Sequence, residues 1–316
     1  MSKLAVIALG GNALLRGNQE GTIQQQEQNT YETLKNILFL IKQGYNIVLG
    51  HGNGPQVGNI LMRNDAGEEI YKIPQMPLDI CVADSQGGIG YMIEKMLRKV
   101  LKEEGIEKNI ITIVTQVVVD KNDNAFNNPT KRVGRLYLKK QADELAQKKG
   151  WIFKESPKMD DAWRRVVPSP KPIEIINENI IKDLANAGNI VIAAGGGGIP
   201  VYYDKNGFIN SLEAVIDKDA ASSLLATRIN ADEFYILTDV PYVYVNFNKP
   251  NQKALEFIDK NDTLKYIEQK AFGEGNMLPK MRSALRFVEN GGEKSIITEA
   301  TKLADKKYGT KITLNY

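Results

Sequence analysis

The sequence predicts an α/β fold built on a mainly parallel central sheet, and three observations support this. Short, nearly continuous apolar runs bounded by glycine recur along the chain, as expected for strands of a sheet covered on both faces. Stretches with helical spacing of apolar residues lie between these runs. With 316 residues, the chain has the length of one large α/β domain. This alternation is typical of helices packed on both sides of a mainly parallel sheet.

The predicted strands and helices follow one another along the chain. The strand-like runs are short, apolar and rich in β-branched residues, and they cover 3–9, 46–50, 110–119, 189–194, 233–237 and 294–298. The helix-like stretches carry apolar residues three and four positions apart, and they cover 30–42, 89–101, 173–187 and 279–289.

Residues 120–172 interrupt the alternation. This segment is polar, rich in Lys, Asn and Pro, and ends in WRRVVPSPKP. Because long ordered insertions in compact domains are usually functional, we interpret it as a small lobe or lid on a single domain spanning 1–316. The alternative is a long surface insertion without a role.

Composition excludes several classes of protein. Lys and Arg total 41 against 38 Asp and Glu, a net charge of +3 that is too balanced for a dedicated nucleic-acid binder. With Cys81 as the single cysteine, no intrachain disulfide can form, and a reducing compartment fits best. His51 is the single histidine, so a multi-His zinc site is excluded, and a catalytic triad would need His51 as its base. The apolar run at 4–9 is too short for a signal peptide and no run suits a membrane helix, so we expect a soluble cytoplasmic protein.

Three predicted strands end in glycine-rich turns: GGNALL (10–15), HGNGPQVG (51–58) and GGGGIP (195–200). Glycine lets backbone N–H groups approach an anion closely, and ligands gather at the carboxyl ends of parallel strands. Neither of the first two turns fits the dinucleotide fingerprint, and the chain has no P-loop motif. The first two turns could therefore bind the two reactants of a group transfer. Four consecutive glycines at 195–198 require either another chain segment or an anion close to the backbone, and we favour the anion.

Charged residues near two predicted helix starts are candidates for binding that anion. Lys218 and Asp219 follow Asp217, which suits a helix N-cap; the alternative is an ordinary capped surface helix. Lys280 lies in a predicted first helical turn, where a positive charge opposes the helix dipole unless an anion is bound. Lys131, in the lobe, follows an X-Pro turn, and the alternative there is a solvated basic loop.

Taken together, these motifs resemble those of the carbamate kinases in the amino acid kinase family. The resemblance runs in order along nearly the whole chain and rests on ALGGNALL, HGNGPQVGNI, SQGGIGYM, NPTK, WRRVVPSPKPIEI, AAGGGGIPV, EAVIDKDAAS and NMLPKMRSA. It implies the reaction ATP + carbamate ⇌ ADP + carbamoyl phosphate with Mg²⁺ as the cofactor. It also implies a three-layer α/β/α sandwich, a homodimer, and a small lobe over the acceptor site.

The resemblance implies roles for individual residues. Lys218 and Lys280 would contact the transferring phosphoryl group and the ATP phosphates, Asp219 would orient these lysines, and Lys131 would hold carbamate. No residue of the chain is implied as a metal ligand. The acceptor site would lie mainly in the N-terminal half and the nucleotide site mainly in the C-terminal half. Nucleotide or phosphate binding is implied for Gly10, Gly11, Asn12, Thr238, Asp239, Tyr244 and Met277, and carbamate binding for Gly52, Asn53, Gly196 and Gly197.

The sequence departs from the family pattern at three positions. Arg132 and Arg135 stand where prolines are usual, which we expect to loosen the loop and to add positive charge near the acceptor. Asp84 stands where an uncharged residue is usual. Three alternatives remain: a family kinase acting on acetylglutamate, glutamate, aspartate or a nucleoside monophosphate; a non-catalytic nucleotide-binding module; and an interaction protein docking through its basic lobe. For a carbamate kinase, the family suggests ATP synthesis during the breakdown of arginine or related compounds.

Overall fold

An eight-stranded sheet lies at the centre of the structure, a computed structural model that describes residues 2–17, 19–156, 161–273, 277–305 and 308–315. Neighbouring strands are parallel except for one antiparallel pair, β16 with β17. The predicted mainly parallel sheet is therefore confirmed. In spatial order its strands are β15 (Phe257–Ile258), β17 (Thr310–Ile312), β16 (Lys294–Glu299), β12 (Glu233–Thr238), β1 (Leu4–Leu9), β2 (Asn46–His51), β9 (Ile190–Ile192) and β3 (Ile110–Thr112).

Helices cover both faces of this sheet. Among the helices described, none combines the length and the apolar character that crossing a membrane requires. Short 3₁₀ turns occur at Gly11–Ala13, Asn124–Phe126, Gly195–Gly197 and Ala300–Lys302. The α-helices are α1 (Ile23–Lys42), α2 (Gly54–Tyr71), α3 (Leu78–Glu103), α4 (Lys139–Lys149), α5 (Glu178–Asn186), α6 (Lys218–Arg228), α7 (Lys260–Glu268) and α8 (Met277–Glu289).

Strand β1 shows how the sheet separates two apolar layers. All six of its residues are buried, and alternate side chains point to opposite faces. Ala5, Ile7 and Leu9 pack in the cluster that includes α1 and α3, whereas Val6 and Ala8 pack in the cluster that includes α6 and α8. Two cores on opposite faces of one sheet make the predicted three-layer α/β/α sandwich.

Smaller sheets flank the central one. A four-stranded sheet consists, in order, of β11 (Ile209–Ser211), β10 (Ile199–Tyr203), β4 (Gln116–Val119) and β8 (Pro172–Ile175). A two-stranded ribbon pairs β13 (Val243–Val245) with β14 (Lys253–Leu255). An antiparallel sheet of β5 (Lys131–Leu138), β7 (Ala162–Val167) and β6 (Ile152–Glu155) packs with α4 and against α2. This last sheet, here called the lobe sheet, lies within the segment 120–172.

The prediction of one strand over 110–119 was wrong, because the run is divided between two sheets. Its first part is β3 in the central sheet and its last part is β4 in the four-stranded sheet. The side-chain amide of Gln86 accepts a hydrogen bond from the Thr115 N–H at 2.7 Å and donates one to the Thr115 carbonyl oxygen at 3.2 Å. A partner from α3 thus satisfies the Thr115 N–H, while the Thr115 carbonyl oxygen also accepts a 2.9 Å hydrogen bond from the Ile199 N–H at the start of β10.

The helix prediction was also wrong in places. Residues 172–175 form β8 rather than the start of a helix, and the predicted helix begins only at Glu178. A helix was expected after the 51–58 turn, but the extent of α2 was not predicted because it lacks an apolar stripe: only Val57 and Gly58 are buried along its length. Helix α1 starts earlier than predicted, since Thr22 forms a capping box with Gln25. Helices α4 and α7 were also missed.

Candidate active site

The N-terminus of α6 presents two of the predicted site residues. The helix begins at Lys218, and the carboxylate of Asp217 accepts hydrogen bonds from the backbone N–H groups of Asp219 and Ala220 at 3.0 and 3.2 Å. The predicted N-cap at Asp217 is therefore confirmed. Capping fixes the first turn of α6 at the carboxyl-end edge of the sheet. Lys218 and Asp219 thus project from a fixed helix start.

Asp219 joins the two lysines that lie far apart in sequence. Its Oδ1 lies 2.5 Å from Nζ of Lys218, and its Oδ2 lies 2.8 Å from Nζ of Lys280. All three side chains are largely buried, with exposed fractions of 15%, 5% and 8% for Lys218, Asp219 and Lys280. Lys280 lies in the first turn of α8, as predicted. The structure therefore places two ammonium groups on one carboxylate at the meeting point of α6 and α8.

Burial and charge act in opposite directions on the pKa of Asp219. Burial alone would raise the pKa of this carboxyl, but attraction by Lys218 and Lys280 outweighs it and lowers the pKa to about 2. Burial also lowers the pKa of Lys218 below its usual range, although Asp219 opposes that shift. With the carboxylate ionised at neutral pH, two cations held on one anion leave an excess positive charge that suits an incoming phosphate.

A cavity of about 310 Å³ opens beside this cluster toward the lobe sheet. Five parts of the chain meet there: the glycine-rich turns after β1 and β2, and the starts of α6, α8 and β5. Its lining brings together eight of the predicted site residues, namely Gly11, Gly52, Asn53, Lys131, Gly196, Lys218, Asp219 and Lys280.

Asn53 is held in this cavity by two close neighbours. Its amide nitrogen donates a 2.9 Å hydrogen bond to Oγ of Ser85 on α3, and that hydroxyl donates a 2.6 Å hydrogen bond to the Val82 carbonyl oxygen. On the other side lies Gly196, with φ +65°, where an added Cβ would lie 2.1 Å from Nδ2 of Asn53. Glycine at position 196 is therefore required for Asn53 to occupy its place.

The structure corrects the preference for an anion against the four consecutive glycines. An added Cβ would lie 2.3 Å from the His51 ring at Gly195 and 2.4 Å from the Ile216 carbonyl oxygen at Gly197. At Gly198 it would lie 2.2 Å from the Val117 side chain. Other chain segments thus account for the close approach, which was the alternative. Gly197 does not line the cavity, and it lets the segment before α6 pack closely.

His51 is buried beneath this turn and is unsuited to act as a base. Its Nδ1 lies 3.0 Å from the Gly52 carbonyl oxygen, and its ring contacts the Gly195 backbone. Burial lowers the pKa of His51 to about 4, so the ring is neutral at physiological pH. A triad chemistry based on this residue gains no support.

The lobe sheet contributes Lys131, the first residue of β5. Its Nζ lies 3.4 Å from Oδ2 of Asp217, across the cavity from the lobe. Residues 131–133 pair with β7, and the register shifts between Val133 and Leu136; the expected loosening of this loop stays a prediction. Arg132 does line the cavity, whereas Arg135 turns away and lies 3.9 Å from Asp65 on α2. Asp84 is exposed on α3 and does not line the cavity.

A second cavity, of about 160 Å³, lies on the other side of Lys280. It brings together five predicted residues: Gly10, Gly11, Thr238, Asp239 and Lys280. Gly10 is required there, since an added Cβ would lie 2.5 Å from the Leu237 carbonyl oxygen. Tyr244 and Met277 do not line this cavity, and the side chain of Asn12 lies outside the part of the chain that the structure describes.

Known proteins resemble this chain along nearly its whole length. Residues 3–299 match the model of the amino acid kinase family. The chain belongs to the amino acid kinase family. It is 46% identical over 316 residues to the carbamate kinase of Pyrococcus horikoshii, and the alignment covers 99% of this chain and 100% of that enzyme. It is 43% identical over 314 residues to the carbamate kinase of Trichomonas vaginalis, which covers 98% and 99%. Its fold matches that of the carbamate kinase from Giardia lamblia bound to AMP-PNP, with TM-score 0.92, 41% identity and coverage of 99% and 98%.

In this member of the amino acid kinase family, sequence reasoning missed contributions from Ser85 and Asp217. Ser85 holds Asn53, yet 32 positions separate them and no local pattern connects them. Asp217 was recognised as a helix cap, but its second oxygen also meets Lys131. Arg132 lines the larger cavity, and the sequence had led us to expect that it adds positive charge near the acceptor.

The arrangement suits phosphoryl transfer by an amino acid kinase. The two cavities share Gly11 and Lys280, so reactants in each would meet at the Lys218–Asp219–Lys280 cluster. Phosphoryl transfer depends mainly on positioning and on neutralising charge on the transferring oxygens. Buried ammonium groups held on a carboxylate provide both without reorganising during the reaction.

Proposed function

We propose that this member of the amino acid kinase family is a carbamate kinase that catalyses ATP + carbamate ⇌ ADP + carbamoyl phosphate. The observation that carries the proposal is Asp219, which holds Lys218 and Lys280 at the place where the two cavities join. Relatives matching nearly the full chain are carbamate kinases, and this supports carbamate as the acceptor.

The chemical step needs no general base in either direction. Toward ATP, a β-phosphate oxygen of ADP forms a bond to the phosphorus of carbamoyl phosphate while the bond from phosphorus to the carbamate oxygen breaks. The electron pair stays on that oxygen, and carbamate leaves as an anion, so no proton has to move. Lys218 and Lys280 would neutralise the phosphoryl oxygens, and Lys131 with Asn53 would hold the carbamate end. A neutral, buried His51 is consistent with this chemistry.

We assign the smaller cavity to the nucleotide phosphates and the larger one to the acceptor. Gly10, Gly11 and Thr238 would present backbone or hydroxyl groups to the phosphates, and Gly52 and Asn53 would contact carbamate. Tyr244 contacts Tyr242 edge-to-face, with 6.3 Å between ring centroids, and Phe247 in a tilted arrangement at 5.9 Å; this aromatic group would suit a base beyond the phosphates. The remaining proposed nucleotide residues are Asn12, Asp239 and Met277; Gly196 and Gly197 shape the acceptor side.

Mg²⁺ would accompany the nucleotide rather than occupy a site made by the protein. Within the described ranges, no group of three His, Cys, Asp or Glu residues could hold a metal ion. Both oxygens of Asp219 are already paired with lysines, so this carboxylate is not free to bind a metal ion. Among the described residues, Asp239 contributes a carboxylate to the lining of the smaller cavity. This fits Mg²⁺ held mainly by phosphate oxygens and water. When bound, the ion would neutralise phosphate charge.

The wider proposal includes the setting of the enzyme. The motif resemblance supports a homodimer and a role in ATP synthesis during arginine or related catabolism. The buried thiol of Cys81 supports a reducing compartment, and we propose the cytoplasm. Mass measurement in solution tests the dimer.

The decisive experiment is ATP formation from MgADP and carbamoyl phosphate, with Lys280→Ala as the test variant and Lys95→Ala as its control. Lys95 forms an exposed ion pair with Glu27 and should be dispensable. Loss of a cation at the transferring group should lower kcat about 10²- to 10³-fold, by analogy with loss of an oxyanion donor. Parent enzyme that binds nucleotide by calorimetry but forms no ATP would exclude carbamate and favour another acceptor or a non-catalytic module. A near-normal kcat in Lys280→Ala would refute the assigned phosphate site.

A further inference from the structure

The carboxylate of Asp217 faces two different parts of the molecule. Its Oδ1 accepts hydrogen bonds from the first N–H groups of α6, and its Oδ2 lies 3.4 Å from Nζ of Lys131 in the lobe sheet. Helix capping occupies one oxygen only, so it does not explain the second contact. Asp217 also lines the cavity proposed for an anionic substrate, where an unpaired carboxylate would repel that substrate.

The backbone holds these two residues in fixed relation. Lys131 pairs with Val167 in the lobe sheet, and the next residue, Pro168, accepts a 3.0 Å hydrogen bond from the Val215 N–H through its carbonyl oxygen. Asp217 follows two residues later. The end of β7 therefore touches the backbone on both sides of the ion pair, and the meeting of Lys131 with Asp217 is built into the fold.

The ammonium group of Lys131 has Asp217 as its ion-pair partner. It is 41% exposed, and its ammonium group carries three N–H donors, of which Asp217 needs one. The others remain available to the cavity. A long, half-exposed lysine without such a partner samples many rotamers, and fixing it during binding then costs conformational entropy.

We propose that Asp217 is a positioning residue that holds the Lys131 ammonium at the acceptor end of the cavity and so favours binding of the carbamate portion of the substrate. This inference rests on the proposed function. It assigns the two oxygens of one carboxylate to two tasks: Oδ1 starts the catalytic helix, and Oδ2 places the lobe lysine.

Asp217→Asn separates these tasks. Asparagine is as good an N-cap as aspartate, so the start of α6 is retained, whereas the charge that attracts Lys131 is lost. The KM for carbamoyl phosphate should rise about 2- to 5-fold, the range for a partly exposed ion pair, while the KM for MgADP stays unchanged. Asp259→Asn is the matched control, since Asp259 caps α7 through the Asp262 N–H and lies outside both cavities.

A double-mutant cycle with Lys131→Ala decides between positioning and a purely structural role. If Asp217 acts through Lys131, Asp217→Asn changes the carbamoyl phosphate KM in the parent and has no further effect in Lys131→Ala. An equal effect in both backgrounds, or a rise in the MgADP KM of similar size, would overturn the inference and leave the proposed function standing. An unchanged carbamoyl phosphate KM in Asp217→Asn would also overturn it. Absence of ATP formation by the parent protein would overturn both.

Discussion

Replacing Asp219 with asparagine removes the charge that holds the cluster together while nearly preserving its shape. The carboxylate is paired with Lys218 at 2.5 Å and with Lys280 at 2.8 Å, and all three groups are largely buried. The asparagine side chain could still accept one hydrogen bond, but its amide N–H₂ would face the second ammonium. Two buried cations would then lie close together without a counter-charge.

The size of the effect follows from the pKa of Asp219. That pKa falls from 3.8 to about 2 on folding, and at about 1.36 kcal/mol per unit the ionised carboxylate contributes about 2 kcal/mol. This contribution is present above about pH 4 and is lost as the pH falls toward about 2. Removing one partner of a buried pair costs about 3–5 kcal/mol, because the remaining charge is uncompensated. We expect Asp219→Asn to lower the free energy of unfolding by about 2–4 kcal/mol at neutral pH.

Rising pH should reduce the loss of stability that Asp219→Asn causes. Burial already lowers the pKa of Lys218, and losing Asp219 lowers it further. The variant can therefore relieve its unpaired charge by releasing a proton from Lys218 as the pH rises.

Urea unfolding followed by circular dichroism measures the stability, and ATP formation measures kcat in the same preparations. The exposed pair of Lys139 with Asp143 on α4 provides the control, since Asp143→Asn should cost less than about 0.5 kcal/mol. For Asp219→Asn we expect kcat to fall about 10²- to 10³-fold. An Asp219→Asn protein as stable as the Asp143→Asn control, or one with near-normal kcat, would refute the reasoning.

The remaining predictions concern Gly196 and His51. Gly196→Ala should displace Asn53 and raise the KM for carbamoyl phosphate at least several-fold. The control is Gly207→Ala, which is also at positive φ but has open space around it and should leave that KM unchanged. Equal KM values in the two variants would contradict the predicted clash with Asn53. Folding lowers the pKa of His51 from 6.5 to about 4, so the unfolded protein binds a proton at this residue more readily. The free energy of unfolding should therefore decrease by about 3 kcal/mol as the pH falls from 6.5 through 4. Urea titrations at several pH values should show that His51→Gln reduces this pH dependence of the free energy of unfolding, whereas Asp219→Asn does not. If the pH dependence persists in His51→Gln, it arises from other groups.

Local patterns were sufficient for much of the fold. The apolar runs at 4–9 and 233–237 became central strands because burial on both faces leaves them continuously apolar. The first turn of α6 was predictable because an N-cap acts within three residues of the helix start. The extent of helix α2 could not be predicted, since its few buried residues leave no periodic signal.

For the candidate site, too, the sequence predicted some features and not others. Its glycines and lysines were found from local chemistry: glycine where backbone approaches closely, and lysine where a helix start needs an anion. The contacts among them were not visible, because they join residues far apart in the chain. Ser85 with Asn53 and Lys131 with Asp217 are examples.

By itself, the sequence determined the fold class, most central strands, the capped start of α6 and the residue types of the proposed phosphate site. These depend on burial patterns and hydrogen bonds within a few residues. Only the tertiary structure decided that 110–119 divides between two sheets, that other chain segments fill the space beside the glycines of 195–198, and that Asp217 faces the lobe. Each of these depends on a partner brought close by packing, and no local pattern encodes which partner that is.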